Sequence, residues 1–299
     1  LTGGLGVDDF YFAQKISEVF HCELNPELSE IVKHNYTQLK VSNITCIHQD
    51  SESYLKNTNR KWDWIYIDPS RRDATKNKVF LLEDCSPNVV TQLNEYLQYT
   101  NNLLIKVAPL LDIQSGIQAL QYIKRIHIVA LENEVKELLW EIEKGYEKDI
   151  EIVAVNLKSN QKDLFTFYWN EQKNKSCPIG QPLTYLYEPN AAIMKSGGFT
   201  AIANTFNLIK LHPHSHLYTS DICVDFPGRV FKIVDQFSYK KKGMENKLKN
   251  SKINLSTRNF SETVNEIKSK WKIKDGGHQY CFMTTNHLNE KIVLIGEKI

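Results

Sequence analysis

The chain has 299 residues, of which 41% are hydrophobic and 24% charged. That balance excludes disorder and collagen-like repeats as the main state, and the length suggests about two domains. No apolar run approaches the roughly 18 residues of a membrane-spanning helix, no signal peptide is visible, and none of the six cysteines forms a C-x-x-C pair. A zinc site or a disulfide framework is therefore not expected, and reduced thiols in the cytoplasm are.

The net charge is only +2, but it is unevenly spread. Between Phe226 and Ile299 fifteen basic residues face seven acidic ones, a net of +8, while the remainder holds 22 basic and 28 acidic residues, a net of −6. A basic module joined to an acidic one suits a polyanion such as RNA. A lysine-rich solvated surface would give the same count.

In chain order, Leu1-Thr2-Gly3-Gly4-Leu5-Gly6-Val7-Asp8 reads as a glycine turn before a helical stretch around Phe10–Val19. The chain opens inside this motif, so the strand that should precede it is expected upstream of Leu1. Val19–Cys22 reads as a strand, Glu27–Leu39 as a helix, and Asn43–His48 and Asp63–Ile67 as strands. Val89–Tyr96 reads as helix, Asn102–Val107 as strand, Ile113–Ile123 as helix, Arg125–Ala130 as strand and Asn133–Glu143 as helix. Ile150–Asn156 and Leu164–Trp169 form an expected hairpin. Strands alternating with helices imply an α/β fold with a mostly parallel, Rossmann-like sheet. In such sheets ligands bind at the carboxyl ends of the strands.

Four positions fall at those ends. The glycine turn admits close backbone approach, and Glu23, twenty residues after Gly3, can accept hydrogen bonds from ribose hydroxyls or cap the next helix. Asp50 can face an adenine amine or cap Ser51–Leu55. Asp68-Pro69-Ser70-Arg71-Arg72 follows a hydrophobic strand, and an acid with two arginines at that edge points to chemistry more than to packing.

This ordered set resembles class I S-adenosylmethionine-dependent methyltransferases. Gly4-Leu5-Gly6 matches the end of their glycine motif, whose acid would lie upstream of Leu1. Asp68-Pro69-Ser70-Arg71 resembles the D-P-P-Y motif of nucleic-acid amine methyltransferases, with Ser70 in place of the second proline and Arg71 in place of the aromatic. Together with Phe226-Pro227-Gly228-Arg229-Val230 and Asp275-Gly276-Gly277-His278-Gln279-Tyr280, the pattern is similar to the bacterial THUMP-like-domain methyltransferases. The resemblance implies S-adenosylmethionine as cofactor, held by Thr2, Gly3, Gly4, Gly6, Asp8, Glu23 and Asp50. It implies Asp68 and Pro69 as catalytic residues, and an RNA substrate (tRNA or rRNA) gripped by Arg71, Arg72, Lys240, Lys241 and Lys242. It also implies that the chain without its upstream strand binds cofactor poorly. An inactive RNA-binding protein on the same fold, or a methyltransferase for proteins or small molecules, remains an alternative. A nicotinamide enzyme is disfavoured by the lack of a full G-x-G-x-x-G.

The expected organisation is a methyltransferase domain over 1–172, a linker with a small ferredoxin-like segment over 173–225, and a basic THUMP-like α+β domain over 226–299. A helix is expected around Ala191–Ala203. His212, His214 and His216 alternate without an adjoining acid or cysteine, so a solvated loop is expected there, and no metal site.

Overall fold

The computed structural model describes residues 1–71 and 81–299, Arg71 by its backbone alone. The chain divides into two compact units, one of residues 1–127 and 136–150, the other of residues 128–135 and 151–299.

The first unit opens with α1 (Val7–Ala13), β1 (Val19–Glu23), α2 (Pro26–Gln38), β2 (Ile44–His48), α3 (Ser51–Asn57) and β3 (Ile65–Ile67). The short pair β4 (Ser70–Arg71) and β5 (Cys85–Ser86) follows, then α4 (Val89–Tyr96), β6 (Asn102–Val107) and α5 (Ile113–Ala119). Local chemistry sets these boundaries. Pro26 stands in the first turn of α2, where its missing N–H costs nothing, and the Asn25 side chain caps that helix by accepting from the Leu28 N–H. Val32 and Tyr36 face inward from α2, while Val89, Leu93 and Tyr96 do so from α4. β1 and β2 run parallel with Cys22 opposite Ile47, and β3 and β6 run parallel with Ile67 opposite Ile105.

The next two strands are β7 (Ile123–Leu131) and β8 (Glu134–Glu143). The stretch Asn133–Glu143, expected to be helical, is a strand paired antiparallel with β6, Lys106 standing opposite Leu139. Its glutamates, lysine and leucines favour helix locally, but Leu138, Trp140 and Ile142 are each fully buried at every second position. Burial on the strand period overrides local propensity here.

After residues 128–135, the second unit continues with the antiparallel pair β9 (Glu151–Leu157) and β10 (Lys162–Tyr168). It continues through α6 (Trp169–Lys173), β11 (Tyr185–Pro189), α7 (Ala191–Ser196), α8 (Phe199–Thr205), β12 (Ile209–Lys210) and β13 (Tyr218–Ser220). The one helix expected around Ala191–Ala203 is thus two. Gly197 takes the left-handed conformation that ends α7, a common helix stop. Then come β14 (Gly228–Ser238), α9 (Lys241–Lys247), β15 (Asn254–Arg258), α10 (Val264–Trp271), β16 (Gln279–Thr285) and β17 (Lys291–Lys298). Seven strands form one sheet in the order β12-β13-β11-β14-β17-β16-β15. Met244 and Leu248, with Ile267 and Trp271 from α10, bury against Cys281, Met283 and Val293 of that sheet. A reciprocal Thr263–Glu266 capping box starts α10, satisfying helix N–H groups that would otherwise lack partners.

The histidine segment is a loop that is only partly solvated, with His214 exposed. His212 is 8% exposed. Its Nδ1 accepts from the Asn259 side-chain amide at 2.9 Å and from the His214 N–H at 3.0 Å, and its Nε2 faces Asn289 Oδ1 at 3.1 Å. With Nδ1 accepting twice, Nε2 carries the proton. His216 stacks on Phe199 with ring centroids 3.6 Å apart, and burial, helped by Lys210, pushes its imidazole down to about 4. Among the described residues no group of histidine, cysteine and carboxylate side chains is arranged to hold a metal.

A pH dependence follows. Unfolded, His216 takes a proton near its ordinary value of 6.5, whereas folded it stays neutral to about 4. The unfolded state therefore binds more protons throughout that window, and stability falls as pH drops from about 6.5 to about 4. Melting temperatures measured across this range should decline less steeply for His216→Asn, which cannot titrate and tolerates the positive φ of 53° at this position. Equal slopes would remove His216 as the cause.

Candidate active site

The glycine turn lies between the carboxyl ends of β1 and β3 and is bonded to both. Gly3 N–H donates to the Cys22 carbonyl at 2.8 Å, and the Leu1 amino group donates to the Tyr66 carbonyl at 2.9 Å. Gly4 N–H donates to Glu23 Oε2 at 2.8 Å, and Asn25 N–H donates to Glu23 Oε1 at 2.8 Å. On the other side Asp68 N–H donates to Thr2 Oγ1 at 2.9 Å. Thr2, Gly3, Gly4, Glu23 and Asp68, separated by up to 66 residues, thus share one rim.

The three glycines differ in what surrounds them. A Cβ on Gly3 would lie 2.2 Å from the His21 ring, and one on Gly6 would lie 2.0 Å from Tyr36 Oη. Those two residues make room for the protein's own side chains. At Gly4 a Cβ would meet nothing nearer than the Thr2 carbonyl at 3.9 Å, so this backbone is the one open to a ligand. Glu23 is half-buried, with each carboxylate oxygen holding a backbone N–H and keeping a lone pair for a further donor. Asp50 caps α3 by accepting from Ser53 N–H at 2.8 Å, the helix-cap alternative of the sequence analysis.

Asp8 joins the acceptor side of the rim. Its Oδ2 lies 2.6 Å from Lys106 Nζ and accepts from the Tyr66 hydroxyl at 2.7 Å. Those two donors hold its carboxyl below the usual range against the opposing effect of burial. Lys106 Nζ also lies 2.9 Å from Asp68 Oδ2. Burial works against the Lys106 ammonium, but the two carboxylates win and push its proton affinity up. Burial and the bond to Asp8 raise the Tyr66 phenol far above its ordinary value, so it remains a donor.

Asp68, buried Pro69, Ser70 and Lys106 line a cleft of about 480 Å³ together with Pro109 and Glu137. That volume is in the range of small-molecule sites. Sequence reasoning missed Lys106 and Glu137. The signal for the first was a lone charge in the otherwise apolar strand Leu103-Leu104-Ile105-Lys106-Val107. Arg71 lies in β4 opposite Cys85, and Arg72 falls outside the described residues. Lys240 precedes α9, and Lys241 and Lys242 begin it. All three are exposed, and among the described residues none has an acidic partner, whereas Lys247 is paired with Asp235.

Likeness over the whole chain shows the class: the chain belongs to a family of methyltransferases with a THUMP-like C-terminal module. Over its whole length it superposes on the crystal structure of a "putative methyltransferase" from Porphyromonas gingivalis W83, with a TM-score of 0.89 and 30% identity, covering 76% of that chain. A ferredoxin-like domain model matches residues 185–227 and a THUMP domain-like model matches residues 228–298. An uncharacterized RNA methyltransferase of Mycoplasma mobile is 29% identical over 94 residues, which are 31% of this chain and 26% of that protein. The match thus spans about a quarter of that relative.

Proposed function

We propose that this protein transfers a methyl group from S-adenosylmethionine to a nitrogen of RNA in the cytoplasm. The first 172 residues carry the chemistry, residues 173–225 connect, and the basic module from Phe226 onward holds the RNA. The observation that carries this is the joint hydrogen bonding of the glycine turn to Glu23 and to Asp68, which sets a nucleoside-gripping carboxylate and an Asp-Pro corner on one rim. The residues fit the cofactor. The open backbone at Gly4 admits its close approach, Glu23 offers acceptors to ribose hydroxyls, and Asp50 lies at the neighbouring strand end for the adenine.

The bound cofactor supplies an already activated methyl group, so the protein's task is alignment. Asp68 and the Pro69 carbonyl accept hydrogen bonds from the acceptor amine and aim its lone pair. Arg71 and Arg72 take a neighbouring phosphate, and Lys240, Lys241 and Lys242 add phosphate contacts that position without specifying sequence. The Mycoplasma mobile relative supports RNA as the substrate class.

One experiment tests this. Isothermal titration of the full-length protein with S-adenosylhomocysteine is followed by labelling total RNA from cells that lack the gene, with methyl-tritiated S-adenosylmethionine. Wild type should bind the product and label RNA, with RNA affinity falling steeply from 50 to 200 mM salt. Asp68→Ala should bind the product and label nothing. Absence of product binding overturns the enzyme, and turnover in Asp68→Ala removes that residue from the site.

A further inference from the structure

We propose that Glu137 is the proton acceptor of the transfer, with Lys106 reserving Asp68 for hydrogen bonding. The proposal rests on the function just described and adds a residue to the same cleft. The strand registers put the groups on one face. Ile67 stands opposite Ile105, so Asp68 continues the parallel ladder beside Lys106. Lys106 stands opposite Leu139 in the antiparallel ladder, and side chains alternate along a strand, so Glu137, two residues from Leu139, emerges on the Lys106 side. Leu138 between them points the other way and is fully buried. The cleft wall accordingly carries Asp68, Lys106 and Glu137 together.

Their engagements differ. Asp68 Oδ2 is held by the Lys106 ammonium, and a proton placed on Asp68 would cost that ion pair. Among the described residues Glu137 has no hydrogen-bond or ion-pair partner, although it is half-buried and lines the cleft. Among the described residues the charged groups around it are Lys106 on β6, Asp8 on α1, Asp68 after β3 and Lys136 on its own strand. Burial is the largest influence and raises its carboxyl. Lys106 opposes this, and Asp8 and Asp68 add to the rise. A carboxylate made more basic by its surroundings and left free is suited to taking a proton.

The step balances. The acceptor nitrogen's lone pair forms the N–C bond as the C–S bond breaks, and that electron pair stays on sulfur in the departing S-adenosylhomocysteine. The N–H proton passes to the Glu137 carboxylate and then to solvent through the open cleft.

The test compares wild type with Glu137→Gln and Glu137→Asp in the RNA-labelling assay, in product titration, and in thermal melts from pH 4 to pH 8 without cofactor. A positioned base contributes about 10²–10⁴-fold, so Glu137→Gln should lose at least about 100-fold in labelling while product affinity stays within about twofold. Glu137→Asp should recover part of the rate. A carboxyl whose proton affinity is raised on folding weakens the fold once it ionises, so Glu137→Gln should melt higher than wild type at pH 8 and equally at pH 4. Labelling by Glu137→Gln within about threefold of wild type, or a lower melting temperature at every pH, overturns the proposal. A wild type that binds product but labels no RNA overturns the substrate class and the proton acceptor with it. An active wild type beside an unimpaired Glu137→Gln overturns the proton acceptor alone.

Discussion

Glu188→Ala should lower the stability of the C-terminal unit by about 3 kcal/mol, toward the lower end of the 3–5 kcal/mol typical of a broken buried ion pair. Glu188 is 3% exposed and sits on β11 directly opposite Arg229 of β14. Arg229 Nε donates to its Oε2 at 2.6 Å, and Arg258 of β15 approaches Oε1 at 2.7 Å. The carboxylate therefore ties together strands that lie on opposite sides of β17 and β16 in the sheet order. Alanine leaves two guanidiniums without their counter-charge. Their side chains are 36% and 38% exposed, so both can turn partly toward water, which is why the lower figure applies. At about 2–4 °C per kcal/mol for a unit of this size, the melting temperature should fall by about 6–12 °C. Glu188→Gln keeps the shape and part of the hydrogen bonding and should lose less. A shift below about 2 °C for the alanine variant would show that the arginines are already solvated in the fold.

The parts of the molecule that follow from the sequence are those in which local preference and burial agree. Val89–Tyr96 repeats apolar residues on the helix period behind an Asn88 cap, and Asn102–Val107 is apolar enough to read as a buried strand. Both were expected with the boundaries they have. Glu134–Glu143 is the opposite case. Its composition favours helix, and only the pairing with β6 reveals the period-two burial of Leu138, Trp140 and Ile142. That misreading also hid Glu137, because a residue reaches the cleft wall from a strand and not from the helix imagined there. At the glycine turn the residue types were legible but not their separate tasks. Nothing in the sequence says that Gly3 faces the ring of His21 and Gly6 that of Tyr36, contacts made across 18 and 30 residues of chain. The Asp8–Lys106–Asp68 bridge is still more remote, since it spans 98 residues and depends on the parallel register of β3 and β6.

Gly6→Ala should abolish product binding at concentrations that saturate wild type and lower the melting temperature, while Gly4→Ala, whose methyl would stand where the cofactor approaches, should weaken product binding at a much smaller loss of stability. Both glycines have positive φ, 70° and 56°, and a left-handed backbone costs a side-chain-bearing residue about 1–2 kcal/mol. The two positions differ in space. At Gly4 the added methyl meets open surroundings. At Gly6 it would stand 2.0 Å from Tyr36 Oη, 2.8 Å from Tyr36 Cζ and 2.9 Å from Val32 Cγ1. The tyrosine has little freedom to give way. It is 5% exposed, its hydroxyl donates to the Gly6 carbonyl at 2.8 Å, and burial raises its phenol well above the ordinary value. Overpacking of this kind adds about 1–3 kcal/mol, for a combined cost near 2–5 kcal/mol at Gly6. The fold relieves that cost most directly by moving the turn, and the turn carries the Gly4 N–H that holds Glu23 and the Thr2 hydroxyl that holds the backbone of Asp68. Gly6→Ala thus acts on both halves of the rim although its methyl touches neither Glu23 nor Asp68. Thermal melts of the two variants without ligand separate the effects. Equal losses of melting temperature at both positions would mean that backbone strain alone governs the turn, and that the packing of Tyr36 beneath it is irrelevant.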